Sequence, residues 1–194
     1  MTGTDFCRAV FLVLAMAGPG AAHVIWLRSN AARRMGWPVD GGLTLRGRRI
    51  FGANKRLAGF VVLPPAAGLS FWILAGLWAM LPGSLPAMIW PLSGLQYCLL
   101  GLACGFAFLL AELPNSFVKR QFDVAPGAAP RASVFRVFSS VLDRFDSVIG
   151  CLIVAGLFVP VSLATWMWVL VLGTGQHALF SFAMFRLGLK ERAL

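Results

Sequence analysis

The chain has 194 residues, of which 59% are hydrophobic and only 12% charged, and its mean hydropathy is +0.80. A water-soluble domain of this size carries about twice that share of charged side chains, which excludes the soluble classes. The net charge of +10 is no signature of a nucleic-acid partner: the basic residues fall in patches between apolar runs, as in cytoplasmic loops, where they attract anionic headgroups or a polyphosphate.

An all-α, polytopic membrane protein with about five spans is expected, with residues 1–194 forming one domain. The first apolar run, about 6–27, is long enough to cross a bilayer. No cleavable leader is expected, since a secretory signal is shorter with a basic start and a small-residue cleavage site; a long signal anchor and an ordinary first span read alike here. Gly18-Pro19-Gly20 is expected to interrupt or kink it. The stretch 28–56 holds eight basic residues against one acid, Asp40, and its glycines predict a loop. The second span is placed at about 57–81, through Pro64-Pro65, followed by an uncharged connector, 82–90.

The third span, about 91–111, contains Gly101 and Gly105 at GxxxG spacing, which permits close helix packing and makes a homodimer an expected option. A charged segment follows, holding four of the seven carboxylates: Glu112, Asp123, Asp143 and Asp146. The apolar run 148–185 is too long for one helix. Pro160 divides it into spans at about 147–160 and 163–185. Basic residues concentrate in 28–56, 113–145 and the tail, so the positive-inside rule places these in the cytoplasm and the N-terminus outside. Arg8 is the one basic residue on the wrong side.

Charge is costly near lipid, so its clusters are candidate sites. Asp143 and Asp146, at i and i+3, share a helix face. Two such carboxylates suit Mg²⁺, which is held by one or two carboxylates together with substrate phosphates. The plainer reading is a solvated helix start, with aspartates in the first turn and Ser139 or Ser140 as cap. Ser116, Lys119 and Arg120 read as a phosphate clamp or as an interfacial anchor whose stems snorkel. Glu112 lies close enough upstream to complete a metal site. Between Gly47 and Arg56, glycines beside Arg48, Asn54 and Lys55 suit phosphate binding, yet GxxxxGK[ST] is absent. Cys7, Cys98, Cys104 and Cys151 have no CxxC spacing and read as small apolar residues. His23 and His177 have no ligand spacing, and no GxSxG supports a hydrolase.

Taken in order, Pro38-Val39-Asp40-Gly41-Gly42, Gly47 to Lys55, Glu112-Leu113-Pro114-Asn115-Ser116-Phe117-Val118-Lys119-Arg120 and Leu142-Asp143-Arg144-Phe145-Asp146 resemble the CDP-archaeol synthase family, relatives of the CDP-diacylglycerol synthases. The resemblance implies a Mg²⁺-dependent, CTP-dependent cytidylyltransferase that acts on a membrane lipid phosphate. It implies metal binding by Asp143 and Asp146, with Glu112 in place of the family's usual aspartate. Lys119 and Arg120 would contact the triphosphate, and Asn54 and Lys55 the nucleotide or lipid phosphate, with Arg48, Ser116 and Arg144 beside them. Two competing readings are a CTP-dependent polyprenol or isoprenoid alcohol kinase and a non-enzymatic membrane protein or small transporter. The transporter reading predicts polar residues along an intramembrane path, whereas most charge here is in the loops.

Overall fold

The structure, a computed structural model, describes residues 2–125 and 133–188, with the side chains of Arg33, residues 133–141 and Arg144 outside that description. Five long helices account for most of it: α1 (Gly3–Leu27), α3 (Leu57–Ala79), α4 (Gly94–Gln121), α5 (Ser133–Phe158) and α6 (Leu163–Arg186). Among the described residues, α1, α3, α4 and α6 are long and apolar enough to cross a membrane. The apolar part of α5, Phe145–Phe158, is shorter.

One end of the bundle gathers the starts of α1 and α6. Thr2 caps α1 in a capping box with Asp5, and Ser162, which caps α6, donates to Asp5 Oδ1 at 2.5 Å. The same end holds the 3₁₀ turn Leu85–Met88, and Trp90 Nε1 donates to the Pro160 carbonyl at 2.9 Å. Arg8 lies 5.1 Å from the centroid of the Trp90 ring. That aromatic face stabilises a cation at the end where the charge pattern had left it unaccompanied.

Below this end is an aromatic core. Phe11 packs edge-on against Phe71 and Trp78 at 5.8 and 5.7 Å and tilts against Tyr97 at 5.1 Å. The helices meet there because small residues let their backbones approach. A Cβ on Gly101 would lie 2.5 Å from the Ala67 carbonyl oxygen, and one on Gly105 would lie 2.6 Å from Pro64 Cα. The GxxxG face is therefore filled by α3 of the same chain, and it offers no free surface to a second copy. Gly150 plays this part between α5 and α4, where a Cβ would meet Ala111 Cβ at 2.4 Å.

Three expected boundaries are corrected. α1 runs unbroken through Gly18-Pro19-Gly20. Proline removes one helical hydrogen bond, and Pro19 is buried within the bundle, where packing compensates. The expected loop 113–145 is largely helical: α4 continues to Gln121 and α5 starts at Ser133. The Pro/Gly-containing residues 126–132 lie outside the described residues. Because α5 begins well before Asp143, that residue is not at a helix start, which removes the capped-first-turn reading.

The 28–56 stretch folds as a short α2 (Asn30–Arg34) and a compact loop. Within it, β1 (Thr44–Leu45) pairs with β2 (Arg48–Arg49), across Arg46 and Gly47, both with positive φ, as a two-residue hairpin turn requires. Asp40 organises the loop. Its carboxylate accepts from the backbone N–H groups of Gly42 (3.1 Å), Phe51 (3.0 Å) and Gly52 (3.1 Å) and pairs with Arg49. The Arg49 guanidinium and these N–H groups hold the Asp40 carboxyl well below the usual carboxylate range, against the opposing effect of burial. Val39 N–H donates to the Lys55 carbonyl and Leu57 N–H to that of Trp37, closing the base of the loop.

Candidate active site at the end of helices α4 and α5

Glu112, Asn115, Ser116 and Lys119 recur at helical spacing along one face of α4. Asp143 and Asp146 do the same on α5, with Ser147 next to them. The faces meet. Asn115 Nδ2 donates to Asp143 Oδ1 at 2.6 Å and to Asp146 Oδ2 at 3.2 Å, so one buried amide bridges both carboxylates. Lys119 Nζ pairs with the Asp143 carboxylate. Ser147 Oγ donates to Glu112 Oε1 at 3.0 Å and contacts Asp146 Oδ1 at 3.1 Å. The Glu112 Oε2 atom is taken by Lys55, which the closed loop delivers to this point.

These groups edge a cavity of about 750 Å³. Of the residues singled out in the sequence, Asn54, Lys55, Glu112, Ser116, Lys119, Arg120, Asp143 and Asp146 all line it. The cavity continues between the helices to Leu12, Met16, Phe71 and Leu152, deep in the apolar core. It therefore joins a charged mouth to an apolar interior, as a reaction between a water-borne polyanion and a lipid requires.

Arg120 is distinctive. It is 8% exposed, and its Nε and Nη1 have no hydrogen-bond partner among the described residues. A buried guanidinium left unpaired is strongly destabilising, so an anionic ligand in this cavity would satisfy it. Lys119 and Lys55 add cationic charge to the same walls.

Arg48 is placed elsewhere. It is not among the cavity-lining residues. Its guanidinium pairs with Asp123 and donates to the Gln121 carbonyl, latching the hairpin to the end of α4. The Arg144 side chain lies outside the described residues. Asn115 and Ser147 carry no role in the sequence reading, although Asn115 stands midway between Glu112 and Lys119 at helical spacing and so shares their face.

The donor set bears on a metal. Among the described residues no group of three or more His, Cys, Asp or Glu is arranged to hold an ion, so Glu112, Asp143 and Asp146 are not a preformed three-carboxylate cage. Lys55 and Ser147 occupy Glu112 instead. Asp143 and Asp146, within reach of one amide, fit a cation that takes its other ligands from substrate phosphates and water.

Comparisons with known proteins bear on the fold and the family. A solved structure described as an intramembrane enzyme for archaeal membrane lipid biosynthesis shares the fold, with a TM-score of 0.62 at 20% identity, over 87% of this chain and 89% of that one. A CDP-archaeol synthase of Thermofilum pendens is 30% identical over 192 residues, covering 96% of this chain and 80% of the relative. CDP-archaeol synthases from two strains of Halobacterium salinarum are 29% identical over 162 residues, covering 80% of this chain and 82% of theirs. With the CDP-archaeol synthase (CarS-like) family model matching residues 26–193, the chain belongs to the CDP-archaeol synthase family.

Proposed function

We propose that the protein transfers the CMP unit of CTP to the phosphate of a membrane lipid, forming a CDP-lipid and releasing pyrophosphate. A lipid phosphate oxygen forms a bond to the α-phosphorus, and the bond from that phosphorus to the oxygen bridging the α- and β-phosphates breaks. Such a reaction asks a protein chiefly for positioning and for neutralising charge on a polyanion. The observation that carries the reading is Arg120: a buried guanidinium with its Nε and Nη1 unsatisfied, facing a cavity beside two bridged carboxylates.

Lys119 and Arg120 bind the triphosphate, with Ser116 beside them on the same turn of α4. Asn54 and Lys55 close the mouth over the phosphates. Asp143 and Asp146 hold Mg²⁺, which supplies charge neutralisation on the phosphate oxygens when bound. Asn115 orients both carboxylates toward the cavity, and Glu112 anchors Lys55. The 28–56 loop and the ends of α4 and α6 face the cytoplasm, where CTP is found, with the N-terminus outside. The concentration of basic residues at this end of the bundle supports that orientation.

Incubating the purified protein with CTP, Mg²⁺ and a panel of lipid phosphates and the corresponding lipid alcohols tests the reading. Formation of CDP-lipid and pyrophosphate in equal amounts is expected. Conversion of a lipid alcohol to a lipid phosphate, with CDP as co-product, would replace it with the kinase reaction.

A further inference from the structure

The last turns of α1 carry two unpaired ring nitrogens that the active-site assignment leaves unused. His23 and Trp26 are three residues apart and share a helix face. Both line the cavity. His23 Nδ1 and Trp26 Nε1 are buried, and neither has a hydrogen-bond partner among the described residues. An indole N–H donates and never accepts, so the missing partner is an acceptor, not a cation. An acceptor seated between them selects the His23 tautomer with its proton on Nδ1, so that both nitrogens donate; with Asn54, Lys55 and Arg56 lining the same cavity, they make a wall suited to a phosphate.

This wall is separate from Arg120, which lies on α4. Two anionic reactants must meet here, and the cavity offers unsatisfied donors on two helices. The surroundings of each wall distinguish them. Along α1 the cavity lining continues from Trp26 and His23 through Gly20, Met16 and Leu12, away from the charged mouth and into the apolar core. A group seated on His23 and Trp26 thus has a greasy path on the same helix, which a nucleotide does not need and a lipid tail does. Tryptophan near a span's end also sits at headgroup depth.

We propose that His23 and Trp26 form the subsite for the lipid's phosphate monoester, with its chains running along α1, while Lys119 and Arg120 hold the nucleotide. The inference rests on the cytidylyl-transfer reading.

The test uses the full-length protein in nanodiscs with a dialkylglycerol phosphate. Trp26→Phe keeps the ring bulk and removes the donor. His23→Leu removes the imidazole, and His23→Asn returns an N–H near the Nδ1 position. Trp26→Phe and His23→Leu are each expected to raise KM for the lipid phosphate about tenfold, the scale of one hydrogen bond to a charged group. KM for CTP should stay within about twofold, and His23→Asn should recover most of the loss. A rise in KM for CTP instead would assign the wall to the nucleotide and overturn the proposal, as would two unchanged constants. A second arm measures binding without CTP, comparing labelled dialkylglycerol phosphate with the uncharged dialkylglycerol. The wild type should prefer the phosphate, and Trp26→Phe should lose about tenfold of that preference. An undiminished preference in both donor-removing variants refutes the subsite even if the enzyme makes CDP-lipid. Intact wild-type preference without CDP-lipid from any lipid phosphate refutes the transfer reaction instead.

Discussion

Asn115 shows how much one side chain arranges here. Its amide holds Asp143 and Asp146 together, so replacing it by Ala leaves two carboxylates facing each other without a bridging donor. Steady-state assays of Asn115→Ala should show turnover reduced by roughly 10–100-fold, the range for residues that orient metal ligands, with part of the loss recovered at high Mg²⁺. A loss that Mg²⁺ does not touch would show the amide acting some other way. Asp146→Asn keeps the shape and removes the charge. It should lower kcat by at least roughly 100-fold while the protein still inserts and elutes normally on gel filtration. Wild-type activity in that variant would remove Asp146 from the site. Lys119→Ala should raise KM for CTP about tenfold or more, since a charged hydrogen-bond donor to phosphate is lost. An unchanged KM would leave Lys119 only its ion pair with Asp143.

Among the elements, the 37–56 loop and the α3–α4 contact do most to place these residues. Asp40 ties the loop together through Arg49 and three backbone N–H groups. Its carboxyl is held below its ordinary value of 3.8. A depressed carboxylate contributes stability that is complete above the unfolded value and fades as pH falls toward the folded one. The loop should therefore keep its order from neutral pH down to about pH 4 and loosen only below that. A spin label at Leu43→Cys, an exposed position, should report constant mobility down to that point. Mobility rising already near pH 6 would contradict the role given to Asp40. Gly105→Val forces a side chain against the Pro64 backbone and should cost about 1–3 kcal/mol, visible as a lower melting temperature in detergent.

Helix placement also marks where the sequence was readable. Spans over α3 and α6 are nearly those expected, because long apolar runs have clear ends. Hydropathy fades at Ala111, yet α4 continues, since Glu112 and Lys119 share one face and meet partners on the loop and α5. The same blindness affected Arg48. Its neighbours in sequence suggested phosphate binding, while its partner, Asp123, is 75 positions away. Helical spacing puts Asn115 on the face of Glu112 and Lys119, but its bridge to Asp143 and Asp146, and the contact of Ser147 with Glu112, arise only where α4 meets α5.

At the scale of the whole molecule, a membrane-spanning bundle encloses a cavity with a charged mouth and an apolar interior. The charge lies where α4, α5 and the loop converge, and α1 lines the path inward. That division fits two substrates of opposite character meeting at the membrane surface. The central claim is that the nucleotide's α-phosphorus moves to the lipid. It is tested most directly by supplying CTP labelled at either the α- or the γ-phosphate, with Mg²⁺ and a lipid phosphate, and following the label. Cytidylyl transfer places the α-label in the lipid fraction and the γ-label in pyrophosphate; γ-label in the lipid, with none from the α-position, would contradict it.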